Sequence, residues 1–156
     1  MDDVTRLREA LKPVEKAAKG LPWAKKRPWT VQTHVGIDRG VPIVDLHDLG
    51  TRTAEAVCDT VIREADALET GACFLITGVG RHSTGKAVLP SVVRTRMGAA
   101  CQERGWSLRI PRAGRFTVLI DPSKAPAAAT GALGWVTWGW LLFVAAAAAL
   151  VALNSC

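Results

Sequence analysis

Between Gly40 and Pro122 the hydrophobic residues switch repeatedly between two periods, and that alternation restricts the chain to an α/β arrangement. VPIVDLH, Val41 to His47, is short and β-branched, as a buried strand is. From about Thr51 the spacing becomes helical: Ala54, Val57, Cys58, Val61, Ile62, Ala65 and Leu68 fall on one stripe that ends near Gly71. ACFLIT, Ala72 to Thr77, is a second buried strand, so the first three elements form a βαβ unit with parallel strands. A second helix follows, marked by Val88, Leu89, Val92, Val93, Met97, Ala100 and Cys101. Pro90 is tolerated there because it lies in the first turn, and Gly105 is the stop. WSLRI (106–110) and FTVLI (116–120) are two further strands joined by the hairpin turn PRAGR. The expectation is a two-layer α/β sandwich of order β-α-β-α-β-β, with a mixed four-stranded sheet and two helices.

What flanks this block differs at the two ends. Residues 1–40 read as a charged N-terminal helix followed by a basic linker, residues 41–122 as the domain, and residues 123–130 as a second linker. GALGWVTWGWLLFVAAAAALVAL, residues 131–153, carries no charge over 23 residues. As a helix it would be about 34 Å long, enough for a hydrocarbon core of about 30 Å. Trp135, Trp138 and Trp140 cluster at its front, where such rings favour the headgroup layer. The expectation is a single-pass C-terminal membrane anchor, with the domain on the cytoplasmic or organelle-interior side. A very apolar helix docked on the domain is the alternative.

Charge is placed unevenly. Residues 81–124 carry nine Lys or Arg against two Asp or Glu, net +7, whereas residues 41–80 carry two against seven, net −5. A block that basic within folded sequence points to an anionic partner, nucleic acid first and acidic lipid second. Cys58, Cys73 and Cys101 fall at apolar positions and no C-x-x-C pair occurs, so these read as reduced core thiols, with neither a zinc site nor a disulfide framework.

Residues 80–87 read GRHSTGKA, one residue short of a P-loop, because Ala87 stands where Ser or Thr would bind Mg²⁺. The loop also follows the second strand of a domain of only some 80 residues, and no downstream strand is placed to present a metal-binding Asp. No nucleoside triphosphate is expected.

The residues suit a phosphodiester better. Asp45 and His47 are two apart at the carboxyl end of a parallel strand, so their side chains share a face where ligands of open α/β sheets bind. The loop leaving the neighbouring strand should lie beside them. Gly78, Gly80 and the start of the second helix would offer backbone N–H groups to a phosphate, and Arg81 and Lys86 would add charge. His47 is a candidate general acid or base, oriented by Asp45, and His82 is a second candidate for proton transfer. Arg109, Arg112 and Arg115 on the last hairpin would extend the contact along the backbone. By themselves these residues equally allow Asp45 to serve the turn after its strand and His82 to cap the helix.

VDLHDLG, ITGVGRHSTGKAVL and AGRFTVLI, in this order and spacing, resemble the Smr (small MutS-related) domain over about residues 41–121. That family shows a DLHG-like motif at the end of its first strand, a TGxG-x-HS loop before its second helix, and a Gly-containing turn near its end. The resemblance implies a fold like the C-terminal domain of translation initiation factor three. It also implies binding of DNA or RNA, often with nicking or endonuclease activity. Asp48 departs from the pattern, which has Gly after the His. The resulting expectation is a membrane-tethered nucleic-acid-binding domain that cuts its substrate, RNA preferred over DNA. Cleavage by 2′-hydroxyl attack would need no metal, whereas hydrolysis would call for Mg²⁺ or Mn²⁺ near Asp45. A non-catalytic binding module and a membrane adaptor are the alternatives.

Overall fold

The computed structural model describes residues 1–19, 28–78 and 88–130. The first helix, α1 (Asp3–Ala18), starts where the Asp2 carboxylate accepts hydrogen bonds from the Thr5 N–H and hydroxyl at 2.9 and 2.6 Å. Leu7, Leu11, Val14 and Ala18 recur at helical spacing and form its buried stripe. A helical turn, α2 (Val31–His34), leads into the edge strand β1 (Val35–Asp38). The Arg39–Gly40 turn then reverses the chain into β2 (Val41–Asp45).

The helix α3 (Thr51–Glu64) and a 3₁₀ turn (Ala65–Ala67) carry the chain to β3 (Ala72–Ile76). After residues 79–87, α4 (Leu89–Arg104) stops at Gly105, whose φ of 71° is the left-handed conformation that ends helices. β4 (Ser107–Arg112) and β5 (Arg115–Leu119) form a hairpin turning on Ala113 and Gly114, and a last helical turn, α5 (Ala127–Thr130), follows.

The strands make one mixed sheet in the order β1-β2-β3-β5-β4. β2 and β3 are parallel, and every other pairing is antiparallel. The chain is therefore mixed α/β, with the βαβ unit and terminal hairpin read from the periods. The sheet has five strands, not four, and α1 joins α3 and α4 as a third long helix. The extra strand is VGID, too short and too poorly alternating to register as one, and its pairing with β2 defines it.

Side chains alternate across the sheet. Val44, Cys73, Leu75, Phe116 and Val118 point to the face where α1, α3 and α4 pack, and with Leu7, Leu11, Val57, Val61, Val93 and Met97 they form the main core. Cys58 and Cys73 lie in that core, and burial pushes both thiols up to about 12, which leaves them protonated and inert. The opposite face carries a small second cluster, Val41, Ala72, Phe74 and Leu119, roofed by Ala129 of α5.

α1 is fastened at both ends. The buried Asp3 carboxylate accepts from the Glu69 and Thr70 N–H groups at 2.8 and 2.9 Å and from the Thr70 hydroxyl at 2.7 Å. Glu15 accepts from the Val31 N–H at 3.1 Å and pairs with Lys19 at 2.8 Å. Trp29, at the end of the stretch expected to be a linker, is 2 % exposed and belongs to the main core.

Candidate active site at the carboxyl end of the parallel strands

β2 and β3 end level with each other: Asp45 is paired with Ile76, and the Leu46 N–H donates to the Ile76 carbonyl at 2.7 Å. Beyond this point the chain after β2 turns sharply, with the Leu49 N–H bonding the Leu46 carbonyl at 3.2 Å. Within that turn Asp48 has φ 65°. A positive φ at the third residue of a turn is the place where glycine is usual and Asn or Asp is the next most tolerated residue.

The turn folds His47 back onto Asp45. One carboxylate oxygen, Oδ1, accepts from the His47 backbone N–H at 2.9 Å and from its Nδ1. A carboxylate only accepts, so Nδ1 carries the hydrogen and Nε2 is left as the basic nitrogen. From the far side Trp29 supports the same residue, its indole N–H donating to the Asp45 carbonyl at 2.7 Å, while His34 stacks on the indole with centroids 5.5 Å apart. Both side chains of the pair remain open to solvent, 37 % for Asp45 and 47 % for His47.

Two glycines bring the other segments against this pair. Gly78 has φ 67°, and a Cβ placed on it would lie 2.2 Å from His47 Nε2. Gly114 has φ 74°, and a Cβ placed on it would lie 2.6 Å from the Gly78 oxygen. The Thr77 N–H donates to the Gly114 carbonyl at 2.8 Å and fixes that approach. The imidazole, the first glycine of the loop and the hairpin turn are thus stacked, and only glycine fits at the two lower positions.

Of the residues expected to bind phosphate, Gly78 is brought to the pair. Gly80, Arg81, Lys86 and the second histidine, His82, lie outside the described residues. The helix after that loop, α4, has Val88 at its N-cap, no side-chain cap and Pro90 in its first turn. Among the described residues no group of three or more His, Cys, Asp or Glu is placed to hold a metal.

The three arginines of the hairpin gather around one cavity. Arg109, Arg112 and Arg115 line a cavity of about 470 Å³ on the sheet face opposite the long helices, together with Arg39, Thr117 and residues 128–130. Arg115 lies over the Phe74 ring at 4.0 Å and pairs with Asp38 at 2.5 Å. Neither Asp38 nor Arg39 carried any sequence pattern, and their part in this cavity follows from the β1–β2 pairing. Among the described residues no helix is long and apolar enough to cross a membrane, and residues 131–153 lie outside them.

The fold and the pair together describe a mixed α/β domain with an oriented histidine just past the carboxyl end of its parallel strands. No protein-family model, curated protein or solved structure matches the chain.

Proposed function

We propose that this chain is an Smr-like, membrane-tethered domain that binds RNA and cleaves it with His47 as the proton-transferring group. The observation that carries the reading is the stacking of His47, Gly78 and Gly114. These residues come from the three separate segments on which the resemblance rests, and a resemblance by chance would give no reason for them to touch. On this reading the fold corresponds to the C-terminal domain of translation initiation factor three, with β1 and α1 added.

The orientation of His47 favours a base whose partner is a carboxylate, and Asp45 Oδ1 is engaged by two donors from the same residue. Asp45 is therefore a positioning residue. His47 Nε2 takes the proton of an RNA 2′-hydroxyl, the 2′-oxygen attacks phosphorus, and the bond to the 5′-oxygen breaks. The 5′-oxygen takes up a proton from His82 or from water, and the products are a 2′,3′-cyclic phosphate and a 5′-hydroxyl. The backbone of the Gly78–Gly80 stretch, with Arg81 and Lys86, would receive the charged oxygens. Mg²⁺ or Mn²⁺ would be needed only if water, not the 2′-hydroxyl, is the nucleophile.

The test is end-labelled single-stranded RNA and supercoiled plasmid, each with Mg²⁺, Mn²⁺ or EDTA, against the parent and the Asp45→Ala and His47→Ala variants. We expect RNA cleavage that survives EDTA and ends in cyclic phosphate, with His47→Ala slower by about a hundredfold to ten-thousandfold and binding retained. Binding that weakens with salt, without cleavage under any metal, would make the chain a non-catalytic module. Failure both to bind and to cut would leave the membrane adaptor.

A further inference from the structure

The four-arginine cavity is on the sheet face away from the helices, and its charge is not balanced. Arg39, Arg109, Arg112 and Arg115 line it. Asp38 pairs with Arg115 at 2.5 Å and lies 3.9 Å from Arg39, so a single carboxylate faces four guanidinium groups. Arg115 is held flat on Phe74, and Arg109 donates to the Thr130 carbonyl. Those two are fixed in the wall. Arg39, Arg109 and Arg112 are exposed, as is Ile110, which also lines the cavity.

The second observation is where the chain goes next. Thr130 is a wall residue of this cavity, and every residue from 131 to 156 is uncharged. The apolar stretch with its three leading tryptophans therefore follows directly on a residue that lines a four-arginine cavity. A chain entering a bilayer there would hold the cavity at headgroup level, and arginine suits phosphate by its planar, bidentate donors.

We propose that this cavity binds the headgroup phosphate of an anionic phospholipid in the leaflet that residues 131–153 enter, docking the open sheet face on the membrane. The proposal rests on the reading of that stretch as an anchor. It is independent of the cleavage chemistry, and it moves Arg109, Arg112 and Arg115 from the nucleic-acid contact to the lipid.

Two measurements on the full chain separate the cavity from the anchor. Native mass spectrometry of the detergent-solubilised protein, titrated with phosphatidylglycerol or phosphatidylcholine, reads lipid bound per chain. We expect phosphatidylglycerol to bind more tightly, and the Arg39→Gln/Arg112→Gln variant to lose about tenfold of that preference. Thermal melting shows whether that variant is still folded, and Arg112→Lys, which keeps the charge but not the bidentate donors, should fall between the parent and the double variant. Equal binding of the two lipids, or an unchanged preference in the double variant, would overturn the proposal. Displacement of the lipid by millimolar inorganic phosphate would overturn it in favour of a soluble-anion site, and displacement by a short RNA in favour of a nucleic-acid surface. Alkaline carbonate extraction of membranes bearing the full chain tests the anchor alone. Release of the chain would end the anchor reading and, with it, the docking geometry, while the micelle titration still reports on the cavity.

Discussion

Asp48 adopts φ 65° in the turn directly after His47, whose imidazole is held on the Asp45 carboxylate. Left-handed backbone costs a residue with a Cβ about 1–2 kcal/mol, least for Asp and Asn and nothing for glycine. Glycine is the residue most at ease at such a turn position, so an Asp there keeps the turn and adds a side chain. Asp48→Gly should therefore fold and keep His47 on Asp45. Asp48→Val should lose about 1–2 kcal/mol in denaturant melts, because a β-branched residue tolerates this φ worst. Equal stability of the two variants would mean that the turn does not hold this conformation in solution. The D-x-H spacing drew attention to the pair, but the expected reason differs from the observed one: β2 ends at Asp45, and His47 reaches it through the turn that follows, not by sharing a strand face. Trp29 was not visible: one tryptophan in a stretch of Lys, Arg and Pro has no periodicity, and only the packing shows that it supports the Asp45 carbonyl.

At the scale of elements, the site depends on the closeness of the β4–β5 turn to the end of β3. The Thr77–Gly114 hydrogen bond sets that distance, and Gly78 and Gly114 leave no room for a side chain between the two backbones and the imidazole. Gly114→Ala adds a carbon 2.6 Å from a backbone oxygen at a left-handed φ. It should destabilise the domain by more than about 1 kcal/mol and lower the RNA cleavage proposed for this site, with the melt and the cleavage assay read on the same preparation. Unchanged cleavage would separate the hairpin from the site.

A second prediction belongs to the join between α1 and α2. Lys19 and the Val31 N–H bond the Glu15 carboxylate and hold it below its usual value of 4.5. A depressed acid adds stability above its unfolded value and loses it as the pH falls through the folded one. The stability gap between the parent and Glu15→Gln should accordingly be widest above pH 5 and close as the pH drops below about 4.5. A gap that is constant with pH would mean that Glu15 acts by shape alone.

For the whole molecule, α1 is part of the core. Leu7 and Leu11 are completely buried against the same cluster as Val57, Val61 and Leu75, and burial of each such side chain is worth about 1.5–3 kcal/mol. Domains of this size are stable by only about 5–15 kcal/mol in all. Deletion of residues 1–19 should abolish the cooperative thermal transition, and a protein that still melts cooperatively without them would show that residues 28–130 fold alone. Large parts of the architecture were legible. The β2–α3–β3 unit, the α4 stop at Gly105 and the β4–β5 hairpin each rest on a local pattern at least four residues long. The edge strand β1 was not, because four residues with a glycine in second place become a strand only by pairing.

The amino-acid sequence by itself determined the β2–α3–β3 unit, α4, the β4–β5 hairpin, the positions of Asp45, His47, Gly78 and Gly114 along the chain, and the uncharged stretch that follows residue 130. Period, side-chain branching and glycine placement act over a few residues, and those are what a sequence displays directly. Tertiary structure alone decided that His47, Gly78 and Gly114 stack, that Trp29 bonds the Asp45 carbonyl, and that the hairpin arginines gather beside Arg39 on the sheet face away from the long helices. Each of those facts joins residues 16 or more positions apart, and strand order and register, not local spacing, bring them together.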